Sequence, residues 1–233
     1  MRARSLIAAV AVVGATVSLP TPSAATKWCG SLADLFPDGV TTLQGDVDAD
    51  HRIDTVSTSA RWLGDQTCRA WLTIDTSKGT YRRRIDPLFG SLVAPPALAG
   101  LIRLGPGPRL DVAVVVMLGA STGFVDVYGL QGRELRRRSS EAFAHAGSVV
   151  NRDRAGVDCA TERGARLVAS LATFEADNRY HVQRTFYAVP AGALRTIPGR
   201  TERTTVRFNG LNRYPESASQ VPFPSCAVVR GPS

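Results

Sequence analysis

Four aspartates follow one another at short intervals and could bind a cation. Asp46, Asp48 and Asp50 alternate along a short polar stretch, and Asp54 follows four residues later. Calcium takes about six to eight oxygen ligands in flexible geometry, and carboxylates are its usual ligands in proteins. We therefore predict a calcium site made by these carboxylates and the backbone carbonyl of Arg52, with Asp54 closing it. Its expected dissociation constant is about 0.1–1 mM, the range of extracellular modules.

The stretch does not fit an EF-hand. Counted from Asp46, the twelfth residue is Ser57 rather than a glutamate. The residues from 53 to 58 alternate between apolar and polar, which predicts a strand where an EF-hand has a helix. His51 stands where a left-handed turn residue is needed. A solvated acidic turn without a bound ion is the alternative interpretation.

A second motif could supply a nucleophile. Residues 119 to 123 read Gly-Ala-Ser-Thr-Gly, which matches the G-x-S-x-G elbow of serine hydrolases with Ser121 as the nucleophile. In those enzymes a helix follows the serine, whereas residues 124 to 128 alternate as a strand. A hairpin turn of small residues is the favoured interpretation, and a secreted serine hydrolase using Ser121 remains an alternative.

The elements that position these residues belong to an exported chain. Residues 1–25 combine a basic start, an uncharged apolar run and a small-residue cleavage site, which predicts a signal peptide and a mature chain of residues 26–233. We expect a secreted, extracellular or cell-wall associated protein without a transmembrane segment after signal removal. Abundant arginine with only two lysines in the mature chain is typical of a GC-rich genome, such as that of an actinobacterium.

The four cysteines all lie in the predicted mature chain. An even number of cysteines in an exported protein predicts two disulfides, with three connectivities open. We favour the two bridges that stay within one half of the chain, Cys29–Cys68 and Cys159–Cys226.

Two arginine runs, Arg82–Arg84 and Arg136–Arg138, contribute to a net charge of +8, or +6 after loss of the signal peptide. Charge on an exposed edge strand discourages strand-to-strand aggregation, which is one explanation of the runs. The other is an anionic partner, such as a cell-wall polymer, that holds a cell-envelope protein by its basic surface. Aromatic residues do not interleave with the arginines, so we expect no specific nucleic acid.

Short alternating runs separated by Gly, Asp, Asn and Pro predict an all-β fold. The run from Leu110 to Leu118 is apolar at successive positions, which predicts a central strand buried on both sides. The run from Glu134 to Arg138 predicts an outer strand. The proline-containing tail from Tyr214 predicts irregular structure held by Cys226.

A loop followed by three strands recurs along the chain, in modules of about residues 45–86, 99–138 and 147–208, with Asp54 and Asp111 in equivalent places. The stretch from Gly45 to Asp54 resembles the calcium loop of FG-GAP/VCBS repeats, the blades of integrin-α-type β-propellers. The resemblance implies an all-β, propeller-like assembly of antiparallel meanders in a single secreted domain. Because a closed propeller needs at least about four blades, three modules imply an incomplete one. The implied function is binding or interaction, with another extracellular protein or an anionic cell-wall polymer as the partner.

Overall fold

A computed structural model of the chain describes residues 42–64, 67–85, 96–105, 107–118, 123–139, 141–147, 152–160, 166–189, 196–219 and 222–230. These residues form fourteen antiparallel strands and two short helices, so the prediction of an all-β fold is confirmed. Among them, no helix has the length and apolar character needed to span a bilayer. The predicted signal peptide, Cys29 and Ser121 lie outside the described residues.

The first sheet is a four-stranded antiparallel meander in which sequence neighbours are also neighbours in space. Its strands are β1 (Thr42–Gly45), β2 (Asp54–Gly64), β3 (Thr67–Thr76) and β4 (Gly79–Ile85). Strands β3 and β4 are joined by a two-residue turn, Ser77-Lys78. The candidate calcium loop connects β1 to β2 and so lies at one end of this sheet.

The second sheet is built around β6 (Asp111–Leu118), with β7 (Gly123–Gln131) on one side and β5 (Ala97–Ile102) on the other. Beyond β5 lies β14 (Ala227–Arg230), at the edge of the sheet. Two shorter strands, β8 (Glu134–Arg137) and β9 (Phe143–Gly147), pair with different parts of β7.

The third sheet joins the second through β9. Residues 143–145 of β9 pair with β7, and the next two residues pair with β10, so the chain passes from one sheet to the other within a single strand. Its strands are β9 (Phe143–Gly147), β10 (Arg154–Cys159), β11 (Leu167–Glu175), β12 (Arg179–Ala188) and β13 (Ile197–Arg207). A 3₁₀ helix (Phe208–Arg213) and helix α1 (Pro215–Ala218) follow.

The second sheet lies between the other two and is apolar on both faces. Val112 and Val114 of β6 pack with Leu72 and Ile74 of the first sheet. Ala113 points to the opposite face and joins the core shared with the third sheet. The prediction that this run is a central strand buried on both sides is therefore confirmed, since these β6 residues are fully buried.

The first two sheets pack against each other, and β1 contacts β5 while β4 contacts β8. None of the described sheets closes on itself. The second and third sheets are continuous through β9, whereas the blades of a propeller are separate sheets. The described residues therefore form a stack of three antiparallel sheets, two of which share a strand.

The C-terminal tail is more regular than predicted. Strand β14 pairs with β5 and extends the second sheet, so the prediction of an irregular tail was wrong at this point. The predicted Cys159–Cys226 disulfide is present and ties the end of β10 to the residue before β14. Phe223 is fully buried, and its backbone N–H donates to the Val157 carbonyl at 2.8 Å. Cys29 of the other predicted bridge lies outside the described residues, as does the side chain of Cys68.

Candidate cation-binding loop

The loop between β1 and β2 begins and ends at a paired position of the sheet. Gly45 and Asp54 face each other in the register of the two strands, and the eight residues between them form the loop. Val47 is fully buried in the core between the first two sheets, so it anchors the loop. Ala49 and His51 have φ values of 63° and 66°, in the left-handed region. The expectation for His51 is confirmed, and the left-handed Ala49 is a second tight point that the sequence did not indicate.

Three predicted ligand residues converge. Asp46, Asp48 and Asp50 each offer a carboxylate oxygen, and these oxygens lie within 4.8 Å of one another. The carboxylates also fold the loop around themselves. The N–H of Asp50 donates to Asp46 Oδ1 at 3.0 Å, and the N–H of His51 donates to Asp46 Oδ2 at 2.9 Å. The N–H of Arg52 donates to Asp50 Oδ1 at 3.0 Å.

Asp54 accepts hydrogen bonds from the backbone of the loop and is not one of the three carboxylates that converge. Its Oδ2 accepts hydrogen bonds from the N–H groups of Val47 at 2.8 Å and Asp48 at 3.3 Å. The side chain is fully buried, and its Oδ1 has no partner among the described residues. Burial raises the pKa of the Asp54 carboxyl, and the nearby Asp48 and Asp50 charges add to that rise.

A lysine that the sequence analysis did not select lies over the cluster. Lys78 Nζ is 2.7 Å from Asp48 Oδ2 and 3.5 Å from Asp50 Oδ2. Its neighbour Ser77 donates through Oγ to Asp50 Oδ2 at 2.5 Å, a hydrogen bond that lowers the pKa of Asp50. The hydrogen bond to Asp48 raises the pKa of Lys78. The ammonium group therefore neutralises part of the negative charge of the cluster.

The signal that could have found Lys78 is its position in a two-residue turn. Thr55 at the start of β2 pairs with Asp75 near the end of β3, which brings the following turn beside the aspartate loop. Lys78 is 57% exposed, so its side chain can swing into solvent without opening the core. A small, hard cation could then replace the ammonium group among the carboxylates.

A second buried aspartate makes the same kind of contact. Asp111 starts β6 as Asp54 starts β2, and it faces Ile102 at the separation at which Asp54 faces Gly45. The N–H of Leu104 donates to Asp111, and Leu104, like Val47, is a fully buried residue seven positions before its aspartate. In this loop the places of the three ligand aspartates are taken by Arg103, Gly105 and Gly107.

The counter-charge of Asp111 comes from the second arginine run. Arg138 Nη1 lies 3.3 Å from Asp111 Oδ1, and Arg137 Nη2 lies 2.6 Å from Asp126 Oδ1. Both aspartates are buried, and burial raises their pKa values, that of Asp111 to about 6, although the arginines oppose the rise. Two of the three arginines in this run therefore pair with a buried aspartate, which the sequence analysis missed.

Two buried aspartates that follow Ser121 in the sequence, Asp126 and Asp158, have structural partners. Asp126 is paired with Arg137, and Asp158 accepts hydrogen bonds from the Ser225 hydroxyl at 2.6 Å and N–H at 3.0 Å. His181 Nδ1 is 2.9 Å from the Thr205 hydroxyl. In the described part of the chain, Asp46, Asp48 and Asp50 are the one group of three metal-ligating side chains that converges.

Comparisons of the chain with models of protein families, with curated proteins and with solved structures found no match. We therefore infer function from the fold and the loop alone.

Proposed function

We propose that this chain is a secreted binding or interaction module, similar to FG-GAP/VCBS repeats, whose β1–β2 loop takes up calcium. The observation that carries the proposal is the convergence of Asp46, Asp48 and Asp50 within 4.8 Å. Three carboxylates at this separation repel one another unless a cation lies among them. The loop would then serve as a rigid end to the first sheet rather than as a catalytic centre.

The position of Lys78 over the carboxylates supports a site that binds calcium reversibly. The ammonium group offsets one carboxylate charge of the cluster, which leaves the remaining charge to attract a divalent cation. The proposed exchange replaces hydrogen bonds to Lys78 Nζ with ligand bonds to calcium, and water would complete the coordination. Because Lys78 competes, we expect the weak binding typical of extracellular calcium modules, about 0.1–1 mM.

The propeller-like part of the proposal rests on the first two sheets. Both are entered through an aspartate that accepts a loop N–H seven residues earlier, Val47 for Asp54 and Leu104 for Asp111. The two sheets stack face to face in strand order, as neighbouring blades do. Since three sheets are fewer than the smallest propeller requires, we propose an open stack rather than a closed ring.

Export is the third part of the proposal. The basic and apolar pattern of residues 1–25 is typical of a signal peptide. The Cys159–Cys226 disulfide is compatible with an oxidising compartment, where such bonds persist. Recovery of the chain from culture medium with a new N-terminus near residue 26 would support export, and recovery with Met1 retained in the cell fraction would contradict it.

Thermal unfolding with and without calcium tests the loop. With calcium at about 10 mM and a dissociation constant of about 0.1–1 mM, binding to the folded state should stabilise the chain by about 1.4–2.7 kcal/mol. For a domain of this size, that gain is a rise in Tm of about 3–10 °C. Asp48→Asn should lose most of the rise. Asp177→Asn is the matched control, because Asp177 lies 85% exposed in a turn of the third sheet. A wild-type Tm that does not respond to calcium would contradict the proposal.

A further inference from the structure

A groove lies between the outer strands of the first two sheets. Its walls are β4 and β8, which lie against each other. The groove encloses about 540 Å³ and is lined by five arginines and one glutamate: Arg82, Arg83, Arg133, Arg136, Arg137 and Glu134. Two strands that are far apart in sequence thus place their positive charge in one concave site.

The arginines differ in how far they are already paired. Arg136 forms an ion pair with Glu134, and Arg137 with the buried Asp126. Arg82 stacks its guanidinium group over the Trp71 ring at 4.5 Å, an arrangement that leaves its positive charge unneutralised. Arg83 and Arg133 are exposed, and neither forms an ion pair within the described residues. The groove therefore carries a surplus of positive charge on both walls.

Protection of strand edges does not require this arrangement. Charged side chains discourage pairing of an exposed edge with another chain whether or not a second charged edge faces it. Here the two charged edges face each other, which costs repulsion between like charges unless an anion lies between them. The concentration of arginines on opposite walls is better explained by a ligand that neutralises both.

The chemistry of the guanidinium group indicates the ligand class. Arginine donates two parallel N–H bonds to the oxygens of a phosphate group, and its charge persists at any ordinary pH. The β4 wall runs over about four residues, roughly 13 Å at the strand rise per residue, which is long enough for more than one anionic group. Nucleic acid is disfavoured because, among the described lining residues, Tyr81 is the one aromatic side chain and is partly buried against the core. The groove therefore lacks a row of aromatic rings on which successive bases could stack.

We propose that the groove between β4 and β8 binds a linear polymer of phosphodiester units without bases. The proposal rests on the proposed role of the chain as a binding module and names the chemistry of its ligand, but it does not depend on calcium. The unpaired arginines, Arg83 on one wall and Arg133 on the other, would grip successive phosphates. Arg82, whose guanidinium group stacks on the Trp71 ring, would provide a third positive charge in a fixed position.

The test measures binding of poly(glycerol phosphate) to the full chain, in chelator and at several salt concentrations. The probe variant is Arg83→Gln/Arg133→Gln, and the matched control is Arg207→Gln/Arg213→Gln, which removes the same charge from exposed positions of the third-sheet region. The probe variant should bind at least about tenfold more weakly, and its slope of log K against log salt should fall by about 1.4, which is about 0.7 for each lost phosphate contact. The control should change affinity less than about threefold. Urea unfolding of both variants should match wild type, because the four side chains are exposed.

The alternatives give different results. Equal weakening in both double variants would overturn the groove and leave only diffuse attraction by net charge. Equal or tighter binding of poly-glutamate would overturn the phosphodiester assignment, and tighter binding of single-stranded DNA would replace it with nucleic acid. Binding of the polymer without calcium stabilisation would uphold the groove and refute the calcium loop. Calcium stabilisation without polymer binding would uphold the calcium loop and refute the groove.

Discussion

Asp111 gives the sharpest prediction about stability, because its environment opposes its charge. The carboxyl group is buried, and its pKa rises from 3.8 to about 6, chiefly through loss of solvation, while Arg138 partly offsets the rise. The folded state therefore binds a proton more tightly at this site than the unfolded state does. The contribution to stability is fully present below about pH 3.8 and is lost as pH rises through about 6.

The magnitude follows from the two pKa values. A rise of about two units is worth about 3 kcal/mol in total, and the part lost between about pH 4.5 and pH 7 is about 2 kcal/mol. Asp111→Asn keeps the acceptor for the Leu104 N–H but cannot titrate. The substitution also changes the partner of Arg138, so the informative quantity is the change of unfolding free energy with pH rather than the absolute stability.

Urea unfolding in chelator at about pH 4.5 and about pH 7, followed by circular dichroism, measures this change. Other acidic groups contribute equally to both proteins. From about pH 4.5 to about pH 7, the unfolding free energy of wild type should therefore fall by about 2 kcal/mol relative to that of Asp111→Asn. The Asp177→Asn control should keep the wild-type dependence. If wild type and Asp111→Asn changed by the same amount, Asp111 would not be desolvated in the way that its packing at the start of β6 requires.

Two further substitutions test contacts of the candidate loop and the third sheet. Lys78→Met removes the ammonium group that competes with calcium, and we expect titration calorimetry to show an affinity about two- to fivefold higher, the range for loss of an exposed ion pair; a weaker affinity would mean that Lys78 supports the ion instead. Gly156→Ala would place a Cβ in steric clash with the backbone carbonyl oxygen of Glu216 in α1, so the helix must move, and we expect a loss of about 3 kcal/mol in urea unfolding. Unchanged stability of Gly156→Ala would show that α1 does not pack on β10 as described.

The sequence indicated those parts of the fold that depend on local pattern. Alternation predicted strands such as β3, and the uninterrupted apolar run predicted that β6 is buried on both faces, since a strand shows both faces within two residues. The position of His51 in a tight loop of alternating aspartates predicted its left-handed backbone. Cysteine spacing favoured the Cys159–Cys226 bridge that the structure contains.

The parts that were missed depend on contacts between distant segments. Strand β14 reads as a proline-flanked tail because its partner, β5, lies more than a hundred residues earlier. Lys78 reaches the loop only because β2 and β3 pair in a particular register. Arg137 and Arg138 look like surface charge in the sequence, and only the fold reveals that buried aspartates from β6 and β7 face them. No local sequence pattern indicates that β8 and β9 pair with different parts of β7.

Calcium titration by calorimetry tests the central claim most directly. We expect wild type to bind about one calcium ion per chain with a dissociation constant of about 0.1–1 mM. Asp46→Asn and Asp50→Asn should each abolish measurable heat, and Asp177→Asn should leave it unchanged. An absence of heat from wild type at millimolar calcium, or equal heat from Asp50→Asn, would contradict the assignment of this loop as a cation site.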